Sequence, residues 1–275
     1  MSTPSAEQTV RRATAAFNAG QADQARKLSE QGLSRAPGEP MLHHLLAAVL
    51  FSQGDVSSAR DHIASSLEKR PGHPAALLLA ARLARAAGDF DAALAHLDRL
   101  IATAPQREVF VEKARTLDQA SLRQAGLRPQ AREAWQAILK IVPQNTEAAA
   151  RLGRLAFEDG DTALAASLLE RAVANDASAP VWFDLGLVRQ DLRDHEGTAS
   201  AYRKAFELKP DYAEAALNLG TVLQERGDLD GAMRAYASAY RLRPQMFGTI
   251  AMALTSAPHG KLWLDEAELR RLLAG

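Results

Sequence analysis

Small and hydrophobic residues recur along this chain with helical spacing, in blocks that themselves repeat. Between Ala213 and Arg226, Leu219 and Leu223 lie one turn apart on one side, which predicts an amphipathic helix. Gly227 ends it, because glycine readily takes the left-handed conformation that closes helices. A second helix is predicted from Asp230 until Pro244, whose ring cannot continue a helix.

The same punctuation covers most of the sequence. Pro37, Pro71 and Pro105 are 34 residues apart, as are Pro210 and Pro244, and Gly20, Gly54 and Gly88 keep that interval. An alanine sits in matching register between each glycine and the next proline: Ala25, Ala59, Ala93, and later Ala131, Ala165 and Ala232. A fixed period of this length marks a stacked-repeat architecture. The predicted units are 6–39, 40–73, 74–106, 107–145, 146–178, 179–212 and 213–246, after a flexible 1–5 and before a closing segment, 247–275.

Each unit is a helix–turn–helix that resembles the tetratricopeptide repeat, on the residues Leu219, Gly220, Ala232, Tyr236, Ala239 and Pro244. The resemblance implies an all-α fold, a right-handed α-solenoid of stacked antiparallel helix pairs with a concave groove lined by the first helices. The small residues have a packing reason, since they let the two helices of a pair cross closely. In the first helices they are Ala13, Ala47, Ala81, Gly153, Gly186 and Gly220.

The unit at 107–145 breaks the period. Counting backwards from Pro143 and Gly126 would bury Arg115, Asp118 and Gln119, and unpartnered buried charges cost several kcal/mol. Counting forwards from Pro105 buries Phe110, Ala114 and Leu117 instead. The extra residues then fall around 120–128, as a longer first helix or a protruding turn.

That register aligns Arg82, Arg115 and Arg154 at one position of successive units, with Arg85 a turn beyond Arg82. Arginine forks pair bidentately with carboxylates, so a ladder of them could hold an acidic partner segment. The competing reading is intramolecular pairing, because Glu158 follows Arg154 by four residues and Asp118 follows Arg115 by three. The other groove-facing positions implied by the resemblance are Val10, Phe17, Met41, His44, Phe51 and Leu78, a mostly apolar strip, and Glu158, Asp191, Glu214, Gln224 and Glu225, an acidic one. The family's two-carboxylate clamp is missing, with Val10, Thr14, His44 and Ala48 at its places, and Asn218 alone fits an asparagine ladder.

Composition narrows the function classes. Lys plus Arg and Asp plus Glu are both 33, so no net charge favours nucleic acid or an anionic membrane. With no cysteine there is no disulfide, thiolate site or cysteine nucleophile. The segment "MSTPSAEQTVRR" lacks an apolar stretch, and no run approaches about 18 apolar residues, so the expectation is a soluble cytoplasmic protein.

The histidines do not suggest a metal site. His43 and His44 diverge by about 100° on one helix. His62 and His96 hold equivalent places in consecutive units, on the order of 10 Å apart. The expectation is helix-surface histidines with no metal and no cofactor. No phosphate-binding loop, zinc-protease motif or nucleophile elbow is present, so no catalytic residue is expected and the chain reads as a non-enzyme.

In the tail, Phe247 to Thr255 reads as one further first helix, followed by a Pro-His-Gly break. Asp265 and Glu268 form a predicted capping box, and Leu264 with Leu269 a hydrophobic staple. A closing helix is what a terminal repeat needs, with docking through Trp263 as the alternative. The leading expectation for the whole is a binding module, an adaptor or assembly factor for a protein or peptide partner, with an acidic partner segment expected over the third to fifth units. The alternatives are a self-assembling scaffold and, last, RNA binding.

Overall fold

The structure is a computed structural model that describes residues 5–175, 177–255 and 266–274. Sixteen α-helices and two short 3-10 turns occur among the described residues, with no strand. The chain divides into two compact units, Met1–Ala134 and Trp135–Gly275.

In the first unit consecutive helices pack as antiparallel pairs: α1 (Ala6–Asn18) with α2 (Ala22–Leu33), α3 (Pro40–Ser52) with α4 (Val56–Lys69), and α5 (Pro74–Ala86) with α6 (Phe90–Thr103). Helix α7 (Arg107–Ser121) stacks on α6, and a 3-10 turn (Ala125–Leu127) leads into α8 (Arg128–Ile141), within which the unit ends. The second unit repeats the arrangement. It pairs α9 (Thr146–Glu158) with α10 (Thr162–Val173), α11 (Ala179–Asp191) with α12 (His195–Leu208), and α13 (Ala213–Glu225) with α14 (Leu229–Leu242). After a 3-10 turn (Pro244–Met246), α15 (Phe247–Thr255) and α16 (Glu266–Ala274) pack on α14.

The turns inside the pairs share one construction. Gly20, Gly54, Gly88, Gly160 and Gly227 all have positive φ, between 73° and 85°, and close their first helices. In four of these turns an aspartate follows and caps the second helix: Asp55, Asp89, Asp161 and Asp228 accept from a backbone N–H three residues on, at 2.9 to 3.2 Å. The α11–α12 turn is built alike with Arg193 in the glycine's place, at φ 59°, followed by the cap Asp194.

The alanines of the sequence pattern are buried where helices cross: Ala13, Ala25, Ala47, Ala59, Ala81, Ala93, Ala131, Ala165 and Ala232. Where the first helix instead carries glycine, the second lays a large side chain over it. Leu169 covers Gly153, Tyr202 covers Gly186 and Tyr236 covers Gly220. Leu269 and Leu273 of α16 complete a core with Tyr236, Phe247, Ile250 and Leu254.

Helix α7 is 15 residues long against 13 for α1, α3 and α5, an extension of about 3 Å. The remaining inserted residues form the 3-10 turn before α8. Ala114 and Leu117 are buried as expected, but Phe110 is 43% exposed. The preceding residue, Val109, fills the core in its stead, and Glu112 is buried on the same face. The predicted Asp265 cap, the Leu264 half of the staple, Trp263 and the Pro-His-Gly break lie outside the described residues.

Candidate partner-binding site

The ninth residue of α5, Arg82, and Arg85 one turn later point at α7, where Glu108, Glu112, Arg115 and Gln119 lie on neighbouring turns. They meet on Glu112, the sixth residue of α7, whose side chain is 1% exposed. Arg85 Nε donates to Glu112 Oε1 at 2.7 Å and Arg82 Nε to Oε2 at 3.4 Å, while Arg115 Nη1 lies 3.5 Å from Oε2. Arg82 Nη2 also reaches the exposed Glu108 at 2.5 Å, and Arg85 Nη1 donates to Gln119 at 3.2 Å. A carboxylate withdrawn from water needs this many donors, because the desolvation cost is offset only by several charge-assisted bonds.

Arg154, aligned with Arg82 in the sequence, belongs to the second unit. Its Nε donates to Glu158 at 3.1 Å and its Nη1 to Asp184 at 3.0 Å. Asp184 is the sixth residue of α11 and follows Arg154 by 30 residues, the separation of Glu112 from Arg82. One device therefore occurs in both units: an arginine at the ninth position of a first helix bonds an acid at the sixth position of the next. Burial pushes the Asp184 carboxyl above its ordinary range despite the opposing pull of Arg154, whose own pKa that attraction raises. Burial outweighs attraction for the acid because its side chain is only 17% exposed.

The expected apolar anchors are half-buried. Phe51 packs against the core of α3, α4 and α5, and Leu78 against that of α5, α6 and α7. His44 faces His73 with ring centroids 5.7 Å apart, and burial, then His73, holds its pKa below the usual histidine range.

The acidic strip of the second unit is largely paired. Glu214 bonds Arg243, Glu225 lies 3.7 Å from His195, and Asp191 accepts from Thr162. Gln224, expected to face the groove, is buried, accepting from Tyr236 Oη and donating to the Ala253 carbonyl.

The extension of α7 has its own contact. Arg123 Nη1 lies 3.3 Å from the Gly88 carbonyl, with its guanidinium 5.2 Å from the Phe90 ring centroid. Arg85, Phe90, Leu122 and Arg123 line a shallow depression of about 360 Å³ there. Among the described residues, no group of three or more His, Cys, Asp or Glu is placed to hold a metal ion. No described helix is long and apolar enough to cross a membrane.

Glu112 was the residue that the sequence pattern did not single out. Its signal is the 30-residue separation from Arg82, which recurs between Arg154 and Asp184.

Comparison with known proteins agrees with this architecture. Tetratricopeptide repeat families match residues 50–110 and residues 10–74, 121–180 and 183–247. No curated protein matches the chain. Among solved structures, PilF of Pseudomonas aeruginosa is similar with a TM-score of 0.63 at 16% identity, over 74% of this chain and 92% of that one. A chain of the APC/C hetero-tetramer Cut9–Hcn1 reaches 0.64 at 14% identity, over 96% of this chain and 48% of that one. YrrB reaches 0.50 at 16% identity, over 68% and 95%. At these identities the likeness is one of fold. The family matches cover most of the chain, in the helix pairs described above, and such repeats serve protein–protein interaction: the chain belongs to the tetratricopeptide repeat family.

Proposed function

We propose that the chain is a non-catalytic adaptor or assembly factor that holds an acidic segment of a partner protein, with Arg82, Arg85 and Arg115 as its principal contacts. The reading rests on the convergence of these three guanidiniums on Glu112. A buried carboxylate fixes each fork in place, which lowers the entropy lost when a ligand docks. Arg82 and Arg85 have donors beyond those bound to Glu112, since a guanidinium has five. The exposed Glu108 is the group that a partner carboxylate displaces, leaving Glu112 untouched. Arg154 acts separately in the second unit, and Phe51, Leu78 and His44 supply partly apolar surface. YrrB, of the same fold, is described as having an unusual peptide-binding site, which suits this use of the scaffold. The seven-repeat division, with 247–275 closing the array, belongs to the same proposal.

The test is affinity capture of partners from native extract, followed by binding of the captured partner to Arg82→Ala/Arg115→Ala/Arg154→Ala protein. The expected result is weaker binding that is also less sensitive to salt. Unchanged affinity and unchanged salt dependence remove Arg82, Arg115 and Arg154 from the site.

A further inference from the structure

The two residues that follow α7 stand where other first helices have already turned. Counted from the start of its helix, each of Gly20, Gly54, Gly88, Gly160 and Gly227 holds the fifteenth place, with positive φ. The fifteenth residue of α7 is Ser121, still helical, and Leu122 after it keeps right-handed helical dihedrals, φ −67° and ψ −24°. In four of the glycine turns the next residue is an aspartate that caps the second helix. Here that place belongs to Leu122, a large apolar side chain left 83% exposed.

The overhang closes onto the preceding helix pair. Arg123 Nη1 lies 3.3 Å from the carbonyl of Gly88, just past the end of α5, and its guanidinium lies 5.2 Å from the Phe90 ring centroid. A carbonyl at a helix C-terminus and the face of an aromatic ring both attract a cation, so the guanidinium is held in place. The depression of about 360 Å³ beside it, lined by Arg85, Phe90, Gln119, Leu122 and Arg123 among others, is at the small end of the range for ligand pockets, about 300–1,000 Å³. It has room for one or two side chains and none for a folded domain.

Charge narrows what enters. Two arginines line the depression and no acidic residue does, so a cationic side chain is repelled. Arg85 belongs both to this depression and to the cluster on Glu112. A segment whose acid reaches the arginines therefore brings its neighbouring residues here. An aromatic ring gains most, because it buries a large apolar area against Leu122 and Phe90 and also accepts the face of a guanidinium. An aliphatic side chain has only the first of these gains. An extended chain advances about 3.3 Å per residue, which places the ring within about two residues of the acid.

We propose that the inserted turn selects the partner's sequence: the acidic segment carries an aromatic residue close to its acid, and that ring seats against Leu122, Phe90 and Arg123. The inference rests on the acidic-segment function proposed above and adds what distinguishes one acidic segment from another. Leu122 and Arg123 are the specificity-determining residues, and Arg85 joins the two halves of the site.

The experiment titrates three labelled synthetic peptides with the full chain and follows fluorescence anisotropy. One is an acidic peptide of Glu, Ser and Gly with a Phe beside its central Glu pair. The second has Ser for that Phe, and the third keeps the Phe but has Gln for every Glu. Native protein is expected to bind the acidic Phe peptide about tenfold more tightly than the acidic Ser peptide. Leu122→Ser, at an exposed position, should remove most of that preference and leave the affinity for the acidic Ser peptide unchanged. Arg123→Ala, which keeps Leu122, should reduce the preference as well. Equal affinity for the two acidic peptides, or a preference that Leu122→Ser leaves intact, overturns the proposal while the acidic-segment function stands. A Gln peptide that binds as tightly as the acidic Phe peptide, or no binding by any peptide, overturns both.

Discussion

Tyr202 lies flat over Gly186, so that a Cβ added to the glycine would meet the ring Cδ1 at 2.5 Å. Gly220 and Tyr236 repeat the relationship at 2.6 Å. In an ordinary helix interior, alanine is favoured over glycine by about 1 kcal/mol. Here the new methyl must push a wholly buried ring, and overpacking of that kind costs about 1–3 kcal/mol. Gly186→Ala and Gly220→Ala are therefore expected to lower the urea midpoint. Gly248→Ala, where nothing lies within 4 Å, should leave it unchanged or raise it. Equal effects at all three sites would show that the ring contact is not what requires glycine.

Tyr202 also carries a pH signature. Burial pushes its phenol up to about 12, and its Oη donates to Gln190 at 2.8 Å. A folded-state pKa above the unfolded one means that the native chain keeps a proton which the unfolded chain releases. Stability from this source is complete below about pH 10 and is lost as pH rises towards 12. Tyr202→Phe is expected to flatten the fall in Tm across that window, which a thermal melt at intervals of half a pH unit would detect.

Arg193 holds the left-handed conformation that glycine holds in the five equivalent turns. That conformation costs a residue with a Cβ about 1–2 kcal/mol, part of which is returned because glycine is freer in the unfolded chain. Arg193→Gly should raise stability by about 0.5–1 kcal/mol. A chemical denaturation curve showing a loss would mean that the arginine side chain outweighs its backbone strain.

These residues also show what the sequence could and could not disclose. Helix ends and close crossings each impose a demand on one position, so glycine, proline and alanine wrote the helix pairs legibly at a 34-residue interval. Glu112 was hidden because its place in the core depends on arginines 27 and 30 residues earlier, on another helix. Phe110 matched the core register, yet the face that α7 buries begins one residue earlier, at Val109. His43 and His62 are neighbours neither along one helix nor between equivalent places of adjacent units, since their contact crosses the pair itself, 19 residues apart. Pairings between helices leave no period in a single sequence unless the device recurs, as the arginine–acid bond does in both units.

Glu112 tests how the arginine cluster is balanced. Leu45 and Leu79 are the sixth residues of α3 and α5 and are buried there, so the site accepts an apolar side chain of similar size. Glu112→Leu removes a buried charge and leaves three arginines that are each partly exposed and able to turn to water. Its stability should stay within about 1 kcal/mol of native, since well-packed apolar replacements of buried ion pairs are often neutral. Arg85→Ala instead leaves the carboxylate buried with its 2.7 Å partner gone, and is expected to cost about 2–3 kcal/mol, below the usual range because Arg82 and Arg115 remain. Urea denaturation of the two variants measures the asymmetry. Binding measures something separate: with Leu at 112 the guanidiniums lose the group that orients them, so affinity for an acidic segment should fall although the fold is intact. A variant as stable as native that binds the partner equally well would separate Glu112 from function and leave it a purely structural charge.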